Sequence, residues 1–182
     1  MSQPQIEQDQ QAFLLALFTE YDTLSNGDKA GIRKIVEPDD LQMNPAFYRL
    51  IQETLSQFKG PEQTKASEFF KNLSQAARLV YFLPFVRHQA DGKSLGALLK
   101  EQDISERRLF LVMRSEYPQD LIQLRRLCEQ FKDEKIDGLK LGKSLFYWGK
   151  DKTSSENSKR RLMRDFYLSF DKEKETATEA DH

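Results

Sequence analysis

The chain has 182 residues, is 38% hydrophobic and 31% charged, and carries a formal net charge of −1. That composition suits one substantial core or two small lobes, and it argues against a disordered chain. The longest apolar runs, "AFLLALF" (12–18) and "LVYFLPFV" (79–86), are too short to span a bilayer.

Residues 1–11, "MSQPQIEQDQQ", are polar and Gln-rich, and are expected to be frayed. No Lys or Arg precedes Lys29, so a secretory n-region is not expected, and the cytoplasm is the default compartment. Phe13, Leu14, Leu17, Phe18 and Tyr21 form a helical stripe closed by "SNG", with Gly27 as the stop. Asp28 is then placed to cap a short helix carrying Ile32, Ile35 and Val36, broken before Pro38. Pro45 suits the first turn of a helix through Phe47, Leu50, Ile51 and Leu55. "GPEQT" (60–64) reads as a turn, followed by one long helix through Phe70, Leu73, Ala77 and Val80 to Pro84.

"HQADGK" (88–93) is the loosest central stretch and the candidate boundary between two lobes. Ser94 starts a helix with Leu95, Leu98 and Leu99. Ser105 is placed to cap the next helix, and Pro118 to open the one after. "DG" (137–138) starts a helix ending at Trp148–Gly149. "DKTSSENS" (151–158) reads as a loop, and Leu162, Phe166 and Phe170 mark a last helix. The expected fold is all-α, with about nine helices over 12–170 and an acidic tail at 171–182.

Signals for catalysis are thin. His182 ends the acidic tail, and His88 lies in a loop far from Cys128, so neither a zinc set nor a Cys–His pair can be assembled. Cys128 falls in a helical apolar pattern and reads as a buried thiol. "GLKLGKS" (138–144) has three residues between Gly138 and Gly142 where a phosphate-binding P-loop needs four, and "KDEKID" before it is no buried strand. No enzyme, metal or cofactor is expected.

The charge pattern is more informative. Residues 1–28 have no bases, residues 165–182 have two bases against six acids, and the body between carries eight more bases than acids. A basic body between acidic ends suggests a polyanion partner. Arginine suits phosphate because its planar fork donates two hydrogen bonds at once. Arg107 and Arg114 share a face of one helix, Arg125 and Arg126 flank the seam of the next, and "SKRRLMRDF" carries Arg160, Arg161 and Arg164. Arg33 and Lys34 add charge upstream. The alternative is that these are ordinary solvated positions, some paired with Glu106, Glu116 or Asp120. The aromatic pairs "FY" (47–48) and "YW" (147–148) could stack on bases but fit a core better.

Three stretches carry a resemblance: "LSNGDKAGIRKIVEPDDLQMNPAFYRLIQ" (24–52), "SLGALLKEQDISERRLFLVMRSEYPQDLIQLRRLC" (94–128), and "LFYWGK" (145–150) with "RRLMRDFYLSF" (160–170). They resemble the CasB family, the small subunit of the type I-E CRISPR surveillance complex, Cascade. The match is weak over the Gln-rich start, 56–76, 151–158 and the tail. The resemblance implies an all-α, non-catalytic subunit present in two copies along a filament of backbone subunits that carries the guide RNA. Its implied partners are those subunits, the large subunit, a second copy of itself, the guide RNA, and the target and displaced DNA strands, with no membrane. Its implied role is to hold the R-loop open. It carries over Arg33, Arg49, Arg107, Arg108, Arg114, Arg125 and Arg126 as nucleic-acid contacts, with Lys34 and Lys150 matching by charge and position. Arg160, Arg161 and Arg164 lie where the family is less regular, and Arg49, between Tyr48 and Leu50, best suits a structural role. The alternative is a scaffold whose cations dock neighbouring subunits. A stand-alone helix-turn-helix regulator lacks a recognition helix with base-reading Asn or Gln.

Overall fold

Ten α-helices, two short 3-10 turns and one two-residue ladder make up the described residues, 3–169, of this computed structural model. α1 spans Gln3–Thr23, α2 Asn26–Arg33, α3 Pro45–Ser56, α4 Gly60–Phe69 and α5 Leu73–Phe82. After a crossing strand, β1 (Arg87–His88), come α6 (Leu95–Glu101), α7 (Glu106–Arg114) and α8 (Gln119–Gln130). A second strand, β2 (Lys135–Ile136), pairs in parallel with β1, and α9 (Gly138–Tyr147) and α10 (Lys152–Leu168) follow. The all-α expectation holds, with one helix more than the sequence pattern indicates.

α5 is the centre. Its positions 76–82 are all buried, including Arg78, and it packs against α2, α9 and the 3-10 turn over Pro38–Met43. A helix apolar on every side belongs inside a bundle. Arg78 resolves the conflict of a charge there by donating to the carbonyls of Leu145 (3.3 Å) and Phe146 (3.2 Å), in the last turn of α9. The guanidinium thus supplies donors that a helix C-terminus lacks, at its negative end.

The helix starts read correctly at Ser94, Pro45 and Asp137; Ser94 and Asp137 accept from Ala97 N and Lys140 N, and Asn44, before Pro45, accepts from Ala46 N. Ser105 stands at its expected N-cap position without a side-chain cap bond, and α8 begins at Gln119, one residue after the Pro118 expected to open it. α2 starts one turn earlier than expected: Ser25 caps it through Asp28 N, Gly27 lies within it, and the Asp28 carboxylate pairs with Arg49 of α3.

Four further expectations need correction. The Gln-rich start is helical from Gln3, held because Glu7 pairs with Lys143 and Asp9 with Lys65. The turn at 60–64 is the first turn of α4, and the single long helix breaks at Asn72, whose side chain caps α5 by accepting from Gln75 N. The loop at 151–158 is the N-terminal half of α10, opened by Asp151 accepting from Ser154 N at 2.7 Å. Residues 88–93 separate no lobes: one contiguous core runs from Phe13 to Phe166, and β1 is stitched to β2 at that point. Phe170 and the tail at 171–182 lie outside the described residues.

Two devices fix the C-terminal half. Gly96 lets α6 meet α10 backbone to backbone, since a Cβ there would fall 2.7 Å from Leu162 O and 2.8 Å from Phe166 N. Asp120, 1% exposed, accepts from Trp148 Nε1 (2.8 Å) and pairs with Lys159 (3.1 Å). Lys159 also donates to Ser115 O at 2.6 Å, so one carboxylate joins α8, α10, the end of α7 and the residue capping α9. Asp120→Ala would leave the Lys159 ammonium and the indole N–H without this partner. We expect it to cost about 3–5 kcal/mol in urea unfolding. The fluorescence of the sole tryptophan, Trp148, reports the transition, and an unchanged midpoint would contradict this assignment.

Candidate nucleic-acid interface

α7 buries Leu109 and Val112 and turns Arg107, Leu111 and Arg114 outward, the i, i+4, i+7 spacing of one helix face. Phe110 stands beside that row, with the Arg114 guanidinium carbon 5.7 Å from its ring centre. α8 runs antiparallel to α7, because Arg108 near the start of α7 donates to Gln130 Oε1 (2.8 Å) at the end of α8. Gln130 in turn donates to the carbonyl of Arg126 at 3.0 Å, which holds Arg108 next to the exposed Arg126.

Adjacent arginines on α8 take opposite roles. One residue of helix turns the side chain by about 100°, so with Leu121, Leu124 and Cys128 inward, only one of Arg125 and Arg126 can face solvent. Arg125 goes inward and is 7% exposed. Its guanidinium carbon stacks 4.0 Å from the Tyr81 ring centre and 4.8 Å from that of Phe85. Its nitrogens donate to the carbonyls of Ile35, Arg33 (2.9 Å) and Ile32 (3.4 Å), at the C-terminal end of α2. The sequence expectation of a strand contact at Arg125 is therefore corrected: the side chain is a structural clamp. Burial also pushes the neighbouring Cys128 thiol up to about 12.

By fixing the end of α2, Arg125 sets Arg33 opposite Arg126 across a small cavity of about 160 Å³, walled by Val36, Tyr81, Phe85, Ile122 and Glu129. Lys34, exposed, follows Arg33. Arg33 and Arg126 thus line one cavity and Arg108 reaches α8 through Gln130, while Lys34, Arg107 and Arg114 are exposed at the end of α2 and on the outer face of α7. Among the described residues, none of these six has an ion-pair partner.

The other predicted cations lie elsewhere. Arg49 forms a two-pronged pair with Asp28, and this hydrogen bonding holds the Asp28 carboxyl below its ordinary value. Arg160 pairs with Glu156, and Arg164 with its neighbour Asp165. Arg161 reaches Ser144 Oγ at 3.4 Å. Arg161 and Arg164 border a larger groove of about 600 Å³ between α1, α6, α9 and α10, where Lys140 and Lys143 are already paired with Asp137 and Glu7. Lys150 is exposed near the Tyr147 ring, 6.0 Å from its centre. Phe47 and Trp148 are core, while Tyr48 and Tyr147 are only partly covered. Sequence reading missed Gln130, whose signal is its spacing of four residues after Arg126. It also missed Arg78, a lone charge in an otherwise apolar run.

A family model described as CRISPR-associated protein Cse2 matches residues 28–167. The chain belongs to the Cse2 family. Among its relatives is the "CRISPR system Cascade subunit CasB" of Escherichia coli (strain K12), 33% identical over 159 residues that cover 87% of this chain and 94% of that protein. A chain in the crystal structure of E. coli Cascade bound to a PAM-containing dsDNA target superposes with a TM-score of 0.64 at 29% identity. That alignment covers 86% of this chain and 97% of that one. The Cse2-family match includes Arg33, Lys34, Arg107, Arg108, Arg114 and Arg126 and stops short of the acidic tail.

The two α8 arginines separate in a stability measurement. Arg125→Met would strip the carbonyls at the end of α2 of buried donors and lower stability by about 2–4 kcal/mol. Arg126→Met should stay within about 0.5 kcal/mol of the parent. Equal urea midpoints for the two variants would contradict the inward assignment of Arg125.

Proposed function

We propose that this Cse2-family chain is the small subunit of a type I-E Cascade complex and acts there as a non-catalytic clamp on nucleic acid. The observation that carries the reading is a set of cations on α2, α7 and α8 with no ion-pair partner among the described residues: Arg33 and Arg126 on one cavity, Arg108 linked to α8 through Gln130, and the exposed Lys34, Arg107 and Arg114. Surface arginines in a folded domain are often matched by nearby acids, as Arg49, Arg160 and Arg164 are in this chain. An unmatched group on one face favours an external anion.

The physics of the task fits such a surface. Guide–target pairing replaces one duplex by another of similar stability, so contacts that hold the displaced or target strand can tip the balance toward the open R-loop. Contacts to phosphate position a strand without reading its sequence, which suits a subunit serving many guides. Lys150 and Arg161, which lie away from this surface, are left out of the proposed contact. Arg125 serves it indirectly, by holding Arg33 and Arg126 in place. The partners in this reading are the backbone and large subunits, a second copy of the chain, the guide RNA and the target DNA, in the cytoplasm.

Salt dependence tests the clamp. Each phosphate neutralised on a single strand contributes about −0.7 to the slope of log K against log salt. Replacing Arg33, Arg107, Arg108 and Arg126 together by Gln should flatten the slope for an oligothymidine by about 2–3. An unchanged slope would contradict the assignment, and a parent protein with no measurable strand binding would favour the scaffold role.

A further inference from the structure

The cavity between α2 and α8 brings an acid into the clamp. Arg33 and Arg126 share its wall with Glu129, which follows Arg126 on α8 by three residues. Positions three apart lie on the same helix face, and Arg126 and Glu129 are both exposed. Yet among the described residues neither Glu129 nor the two arginines take part in an ion pair. The neighbouring Gln130 is engaged, accepting from Arg108 and donating to the carbonyl of Arg126.

The fold gains nothing from this carboxylate. Asp28 and Asp120 each join two helices, whereas Glu129 ties no element to another. It also stands in the last turn of α8, which ends at Gln130, where the helix dipole disfavours an acid. For a strand the carboxylate is a cost, because it repels phosphates and competes for the same guanidinium donors. A weaker hold has a use. Contacts to phosphate are blind to sequence, so they stabilise an R-loop on a mismatched target as much as on a matched one. Pairing decides the outcome only while open and closed states stay near balance. Once matched targets open fully, a stronger hold raises only the mismatched fraction.

We propose that Glu129 is a specificity-determining residue of the clamp: its carboxylate, on one cavity wall with Arg33 and Arg126, weakens the hold on a strand so that guide–target pairing decides whether DNA opens. The inference rests on the clamp reading. It fixes the sign of the effect: removing the charge of Glu129 strengthens strand binding, the opposite of removing an arginine. An acid that merely solvates α8 would leave binding where it was.

The test measures oligothymidine binding by the full chain, using fluorescence anisotropy, for the parent, Glu129→Gln and Glu53→Gln. Glu53 is an exposed acid of α3 outside the cavity, so its replacement changes the net charge equally. Glu129→Gln should bind about two- to fivefold more tightly at low salt, a gain that fades as salt shortens the Debye length. Glu53→Gln should bind as the parent does. The gain should disappear when Arg33 and Arg126 are both replaced by Gln. Equal affinities of the parent and Glu129→Gln would overturn the proposal, and so would an equal gain from Glu53→Gln. A parent with no measurable strand binding would instead overturn the clamp reading, and the inference with it. In reconstituted Cascade, Glu129→Gln should raise R-loop formation on a mismatched target by about two- to fivefold relative to the matched one. A ratio equal to that of the parent complex would overturn the role in discrimination.

Discussion

A helix that ends inside a protein leaves carbonyls that must find donors, and this fold meets that constraint with a buried guanidinium. α2 stops against α5 and α8, and Arg125 supplies hydrogen bonds to the carbonyls of Ile32, Arg33 and Ile35 while its flat face lies between Tyr81 and Phe85. One nitrogen, Nε, has no hydrogen-bond partner, a cost that stacking on two aromatic faces offsets in part. Arg78 does the same for the end of α9. The rest of the interface follows from the first clamp. With Arg125 inward, Arg126 faces outward, and the anchored end of α2 brings Arg33 across from it.

Much of this was legible in the sequence. Apolar spacing found the helices around Leu17, Leu50, Leu99, Leu109 and Leu124, because each buries one stripe, and caps such as Ser94 and Asp137 announce themselves locally. The misreadings share a cause: long-range partners override local signals. Lys143 and Lys65 keep the polar start of α1 helical. Asn72 interrupts an apolar run that looks continuous, since capping outweighs periodicity at one position. "DKTSSENS" is polar enough for a loop, yet Asp151 caps it and Ser158 is buried, donating to Ser144 O.

The candidate site was legible as a composition and not as a place. Counting arginines located α7 and α8, and the resemblance to CasB named the setting, but neither could separate Arg125 from Arg126. That distinction depends on which side of α8 meets Tyr81 and Phe85, residues distant in the chain. Nor could sequence tell matched cations from unmatched ones. Arg49 meets Asp28 only because α3 folds back on α2. What emerges is a division of labour: buried arginines hold helix ends, Arg49 ties α3 to α2, and the group on α2, α7 and α8 has no ion-pair partner among the described residues, which is why a polyanion is proposed for it.

The central claim is that this unmatched group holds a strand rather than a neighbouring subunit. The most direct measurement is R-loop formation on negatively supercoiled DNA by reconstituted Cascade containing this subunit, with Arg33, Arg107, Arg108 and Arg126 unchanged or all replaced by Glu. Native mass spectrometry of the same samples reports assembly. The account predicts complexes of full composition that lose R-loop formation. Full-composition complexes that open DNA as the parent does would contradict it, and so would loss of the subunit from the complex.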